Sequence, residues 1–203
     1  MKAETPIVYI VDDDRRVREA LSSLVSSMGI QVATFESAQS FLATTRPDSP
    51  SCLILDLRLG KVSGLDVQRQ LEQGSSLPII FITGHGDIPS SVRAMKAGAI
   101  EFLTKPFSDV ELCQAIETGI GKDRAARQER AELADLRRRY ETLTPREQQV
   151  LPHVASGLLN KQTAAELGIA EITIRVHRGQ IMRKMSAQSL SELVRMAEKL
   201  GLL

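Results

Sequence analysis

Several polar residues stand at the ends of short apolar runs. Asp12 and Asp13 follow Ile7–Val11, Asp56 closes the run 52–55, Thr83 follows 78–82, and Lys105, with Pro106 behind it, comes just after 100–103. Carboxylates gathered at strand ends make a site for a hard cation: magnesium prefers oxygen ligands, keeps several waters, and often uses a few carboxylates plus a phosphate. The same set holds what phosphoryl transfer requires. Asp56 offers a carboxylate nucleophile, a metal would neutralise phosphoryl charge, and Lys105 supplies a second cation. Each residue also has a plainer role. Asp12 to Asp14 serve as a turn and helix cap, Thr83-Gly84 as a loop, Lys105-Pro106 as a turn, and Asp56 as a polar stop. Their convergence on one sheet edge is what those plainer roles leave unexplained. His85, beside this set, is read as a loop residue rather than an acid–base group.

A second group of chemical interest lies near the other end of the chain. Thr173, Arg175, Val176, Arg178, Gly179, Arg183 and Lys184 fall within four turns of one expected helix. Duplex DNA is a dense polyanion whose major groove admits one α-helix, so a short helix rich in arginine suits it. On charge alone, a solvated basic helix explains them equally well.

The elements that must hold these groups follow from periodicity. Residues 7–11, 31–35, 52–55, 78–82 and 100–103 read as strands, several apolar on consecutive residues as expected where both faces are covered. Between them, 15–28, 37–43, 64–73, 89–97 and 109–120 have helical spacing. Val17, Leu21, Leu24, Val25 and Met28 recur at three and four residues before Gly29. Five strand–helix units predict an α/β, doubly wound, five-stranded parallel sheet over residues 1–120, with its ligand site beyond the C-terminal strand ends. Residues 121–141 form a dense mixture of charged residues and alanine, read as a helical linker, either separate from the preceding helix or continuous with it, that either pairs with its own copy or only separates two domains.

From residue 142 to 203 the pattern is all helical. Thr144-Pro145-Arg146-Glu147 makes a capping box with proline at the first helical position. That helix is expected to end near Gly157 and to kink near Leu151 at Pro152. Asn160 is expected to cap a second helix ending at Leu167, 170–185 forms a third, and Ser189 or Ser191 opens a fourth. The turn Gly168-Ile169-Ala170 gives the middle pair a helix-turn-helix layout. Leu190, Leu193, Val194, Ala197 and Leu200 share a face that serves equally as core or as dimer seam.

Composition narrows the classes. The 203 residues carry 26 basic and 25 acidic side chains, yet the balance is uneven: 11 basic and 15 acidic up to residue 120, then 15 and 10. A front of net −4 suits a cation, and a back of net +5 suits a polyanion. No apolar run approaches a membrane span or a signal-peptide core, so a soluble cytoplasmic protein without a membrane partner is expected. Cys52 and Cys113, at no metal-ligand spacing, read as buried free thiols.

Val11-Asp12-Asp13-Asp14, Leu55-Asp56-Leu57-Arg58, Ile82-Thr83-Gly84-His85-Gly86-Asp87 and Phe102-Leu103-Thr104-Lys105-Pro106-Phe107 resemble the motifs of a response-regulator receiver domain, a flavodoxin-like fold. The resemblance implies that Asp56 accepts a phosphoryl group from a sensor histidine kinase. Asp12, Asp13, Asp56 and the backbone carbonyl of Arg58 would then hold Mg²⁺, leaving Asp14 as helix cap. Lys105 would pair with the phosphate, often across a cis bond to Pro106, while Thr83 and Phe102 would form the switch. In one departure, Gly60-Lys61 stands where the family usually has Pro-Gly, which is expected to affect kinase docking or phosphate lifetime.

Leu143-Thr144-Pro145-Arg146-Glu147, Gly157-Leu158-Leu159-Asn160-Lys161, Ala165-Glu166-Leu167-Gly168-Ile169 and Thr173-Ile174-Arg175-Val176-His177-Arg178 resemble a LuxR-type helix-turn-helix. Together the two resemble a FixJ-type response regulator. Matched residue by residue, Arg175, Val176 and Gly179 face the groove, and Lys161, Thr173, Arg178 and Lys184 meet phosphates, which position a protein without reading sequence. His177 is read as packing, and the resemblance favours a dimer interface for the face of Leu190, Leu193, Val194, Ala197 and Leu200, with half-sites about one helical turn apart. The resemblance implies a phosphorylation-switched transcription regulator and not an enzyme, homodimeric when phosphorylated, with promoter DNA and RNA polymerase as partners. Two other functions fit the residues: a magnesium phosphohydrolase for small substrates, and a DNA-binding protein whose front domain only dimerises.

Overall fold

The computed structural model describes residues 5–60, 62–72, 77–84 and 87–203. Lys61, the expected third-helix end at Gln73, and His85 lie outside the described residues. The chain divides into two compact units, residues 1–127 and 128–203.

In the first unit, β1 (Ile7–Val11), β2 (Gln31–Phe35), β3 (Ser51–Asp56), β6 (Ile79–Thr83) and β7 (Glu101–Thr104) form one parallel sheet in the order β2-β1-β3-β6-β7. The consecutive apolar residues of β3 are explained by its position. Leu53 and Leu55 join a cluster with Tyr9, Val11 and Phe81, whereas Cys52 and Ile54 join another with Val8, Ile10, Ile80 and Ile82. The flanking helices are α1 (Arg15–Ser27), α2 (Ala38–Leu42), α3 (Gly64–Glu72), α4 (Ile88–Lys96) and α5 (Asp109–Glu141).

One feature was not expected from periodicity. A two-stranded antiparallel hairpin, β4 (Arg58–Leu59) and β5 (Val62–Ser63), follows Asp56 directly. Gly60 in its turn has φ +59°, which glycine takes without penalty and proline, fixed near −65°, cannot. This accounts for the departure from Pro-Gly at Gly60. The linker 121–141 continues the helix expected over 109–120 as one element, α5, the continuous alternative that the sequence leaves open. Within the first unit, Asp123 of α5 is buried and accepts from the Ser51 amide at 2.8 Å and from Arg127 Nε at 2.6 Å, while Arg127 also pairs with Asp48. Within the second, Leu136 of α5 enters the core.

That second core is built by α6 (Pro145–Ala155), α7 (Asn160–Leu167), α8 (Glu171–Met185) and α9 (Leu190–Lys199). The Thr144–Glu147 capping box forms, and α6 continues through Pro152, whose carbonyl accepts from Ser156 at 2.8 Å. Leu159, not Asn160, precedes α7, and its amide donates to Gln162 Oε1 at 2.8 Å. Ser189 caps α9. Leu193 and Ala197 are fully buried, with half-buried Leu190, Val194 and Leu200 packed on the same cluster, so this face contributes to the core of the second unit.

Cys52 and Cys113 are free thiols; Cys52 is buried, which pushes its pKa up to about 12, but Cys113 is only half-buried. Among the described residues no helix is long and apolar enough to cross a membrane.

Candidate functional site

The acidic edge is assembled by strand ends and their first hydrogen bonds. The Asp12 amide donates to the Phe35 carbonyl at 3.2 Å, continuing β1 by one residue and burying the Asp12 side chain. Asp14 caps α1, accepting from the Arg16 amide at 2.8 Å, while its own amide donates to Asp12 Oδ1 at 2.8 Å. Arg18 Nη1 donates to the carbonyls of Asp12 at 2.7 Å and Asp13 at 3.1 Å, fixing the turn. Asp56, buried at the end of β3, accepts from the Arg58 amide at 3.0 Å.

Lys105 completes the group. Its amide donates to the Thr83 carbonyl at 2.7 Å, and its Nζ lies 2.8 Å from Asp12 Oδ2 and 3.2 Å from Asp56 Oδ2. The Lys105–Pro106 bond is cis. One carboxylate oxygen from each of Asp12, Asp13 and Asp56 lies within 4.8 Å of the others. An all-oxygen donor set of this charge fits a hard divalent cation. Burial holds the Asp12 carboxyl above its usual range, against the opposing pull of Lys105. For Lys105, burial favours the neutral amine, but the bond to Asp12 and the charges of Asp56 and Asp12 outweigh it and raise its pKa. Thr83 is buried at the end of β6, and Phe102 is half-buried on β7, its ring 6.2 Å from that of Phe81.

Arg18 and Gly64 were not singled out from sequence. Arg18 looks like any solvated helix cation, and Gly64 looks like a helix start. Yet a Cβ at Gly64 would lie 2.6 Å from the Asp56 carbonyl oxygen and 3.0 Å from the Phe81 ring, and its amide donates to Leu57 at 2.8 Å. Gly64→Ala is therefore expected to lower stability by about 1–3 kcal/mol, as overpacking does. It should also slow labelling by acetyl phosphate. Urea denaturation and phosphate-affinity electrophoresis check both, and wild-type behaviour in each would refute the close-approach argument.

In the second unit, Lys161 is exposed on α7, and Arg175, Val176 and Gly179 are exposed on α8, with nothing within 4 Å of where a Gly179 Cβ would stand. Thr173, His177 and Arg178 are half-buried, and Arg178 Nη1 donates to Asn160 Oδ1 at 3.4 Å. Lys184 is placed differently. Its ammonium lies 2.6 Å from Glu147 Oε2, a buried carboxylate in the first turn of α6. Burial disfavours that charge, but hydrogen bonds from Lys184 and Thr144 prevail and lower the Glu147 pKa. Next to it, Arg146 Nη2 donates to the Leu167 carbonyl at 2.8 Å, just before the left-handed Gly168. One capping sequence thus holds both the α7 terminus and α8.

Residues 8–117 match the family described as response regulator receiver domain, and residues 141–197 match bacterial regulatory proteins, luxR family. Nodulation protein W of Bradyrhizobium diazoefficiens is 52% identical over 197 residues, covering 97% of this chain and 87% of that protein. Transcriptional regulatory protein FixJ of Rhizobium meliloti is 43% identical over 191 residues, 94% of each chain. Among solved structures, the response regulator StyR matches with TM-score 0.85 and 50% identity, over 96% of this chain and 99% of that one. Acidic strand ends in one unit and a helix-turn-helix in the other are the two halves of this architecture, which belongs to transcription regulators and not to classical enzymes. The chain is a member of the response-regulator family, of the FixJ type that joins a receiver domain to a LuxR-type DNA-binding domain.

Proposed function

We propose that Asp56 accepts a phosphoryl group from a sensor histidine kinase and that the acyl phosphate controls promoter binding. The observation that carries this reading is the meeting of Lys105 Nζ with Asp12 at 2.8 Å and Asp56 at 3.2 Å, beside exposed Asp13. Mg²⁺ would be held by Asp12, Asp13, Asp56 and the Arg58 carbonyl, and it would neutralise charge on the phosphoryl oxygens. An Asp56 oxygen attacks phosphorus, an O–P bond forms, and the bond to the donor's leaving group breaks. Lys105 offsets the charge that accumulates. The phosphate brings three acceptor oxygens, to which the Thr83 hydroxyl is drawn, and Phe102 turns into the space vacated.

On the DNA side, Arg175, Val176 and Gly179 face the major groove, and Lys161, Thr173 and Arg178 meet phosphates. Lys184 would join them only by leaving Glu147. Ile88, Val92 and Met95, at intervals of four and three along α4, are 80%, 44% and 43% exposed and form an apolar stripe that supports a two-fold homodimer of phosphorylated receivers. Such a cytoplasmic dimer on promoter DNA would engage RNA polymerase.

The test compares DNA binding to genomic fragments and oligomeric state, with and without beryllofluoride and Mg²⁺. Moving the switch from mostly off to mostly on requires about 5.5 kcal/mol of differential stabilisation. Dimer formation with tighter binding is expected. Affinity and oligomeric state unmoved by beryllofluoride would instead favour a constitutive DNA-binding protein.

A further inference from the structure

Helix α8 buries Ile174, Ile181 and Met185 on one side. At 100° per residue, Ile172, Val176 and Gly179 fall within a narrow band on the opposite side. Ile172 is 62% exposed and Val176 56% exposed, although both are β-branched aliphatics. Gly179 continues the band with open space where a side chain would stand. From Ile172 to Gly179 the centre of the outward face is thus apolar and low, while exposed Arg175 stands beside it and exposed Arg183 continues the same band one turn further on.

A protein partner suits this pattern poorly, because the centres of protein interfaces are depleted of charge and two aliphatic side chains make a small patch. Duplex DNA suits it better. Arg175 beside the stripe and Arg183 at its end complement phosphate, and the feature of a major groove that an aliphatic side chain can recognise is the C5-methyl of thymine. The missing side chain at Gly179 lets that turn of helix approach the base edges closely.

We infer that Ile172 and Val176 form a thymine-methyl reader, with Ile172 a specificity-determining residue that the helix-turn-helix resemblance did not single out. The inference rests on the proposed DNA-binding function. Four residues of helix rise about 6 Å, so the two methyl contacts fall about two base-pair steps apart. Hydrogen-bonding side chains such as Arg175 would supply the remaining readout.

The test uses the full chain with beryllofluoride and Mg²⁺ to select duplexes from a random pool. Each thymine of the best duplex is then replaced singly by deoxyuridine, which removes only the methyl group. Two positions about two base pairs apart are expected to lose about fourfold in affinity each, the effect of one buried methyl-sized group. Ile172→Ala should abolish the penalty at one position and Val176→Ala at the other, with thermal melting of both variants unchanged because both side chains are exposed. Insensitivity to deoxyuridine, or equal penalties in wild type and both variants, would overturn the reader while leaving DNA binding itself intact. If no duplex is enriched, the DNA-binding reading falls, and the reader with it.

Discussion

Exchanging Asp56 for asparagine is expected to reduce labelling by acetyl phosphate to background while leaving the first unit folded. Asparagine keeps the shape and can still accept from the Arg58 amide, now 3.0 Å from Asp56 Oδ1. What it lacks is the carboxylate proposed as the nucleophile. Lys105 retains its 2.8 Å contact with Asp12, so the ammonium is not orphaned. Three carboxylates within 4.8 Å also repel one another when no cation is bound. Removing one charge should therefore leave the melting temperature unchanged or raised without Mg²⁺, and should weaken Mg²⁺ binding. The chain has no tryptophan, so calorimetry is the direct measure of the metal. DNA binding by the variant should no longer respond to phosphodonor. Labelling of Asp56→Asn to the wild-type extent would move the phosphoacceptor to another residue.

Convergence of these side chains was legible from sequence because each stands at the end of a strand with a strong apolar signal. The order β2-β1-β3-β6-β7 brings the ends of β1 and β3 together, with β6 and β7 beside them. Less legible was whatever depends on a single local bond. Strands as short as Arg58–Leu59 and Val62–Ser63 have no period to detect. Asn160 is a better helix cap by type than Leu159, yet the Gln162 side chain satisfies the Leu159 amide from the other end of the turn, and Asn160 accepts from Arg178 instead. Asp123 shows a different limit. Within a segment so rich in charge, nothing marks one aspartate as buried, because its partner, the Ser51 amide, lies 72 residues away.

Lys184 illustrates the same limit at the DNA-binding end, and it leads to the largest stability change expected in the second unit. From sequence it is one more cation on a basic helix. In the structure its ammonium serves the Glu147 carboxylate, which also caps α6 by accepting from the Thr144 amide at 2.8 Å. Removing one partner of a buried pair costs about 3–5 kcal/mol, because the other charge is left without compensation. The two ends differ in exposure: the Lys184 side chain is 26% exposed and that of Glu147 only 5%. Lys184→Met strands a buried carboxylate, so it should cost about 3 kcal/mol. Glu147→Gln should cost less, because glutamine still caps Thr144 and Lys184 can turn to water. The double variant should recover part of the loss, since neither charge is then stranded. The pH dependence follows from the lowered Glu147 pKa. A carboxyl whose folded pKa lies below its unfolded one contributes stability that is present above the ordinary glutamate range and is lost as pH falls through the folded value. Wild type should lose this contribution on acidification, whereas Lys184→Met, having lost the ammonium that favours the anion, should lose less. Urea denaturation of the full chain, followed by a probe of the second unit at pH 7 and at acid pH, measures both effects. Equal costs for Lys184→Met and Glu147→Gln would show that the pair is solvated and that Lys184 is free to meet a DNA phosphate after all.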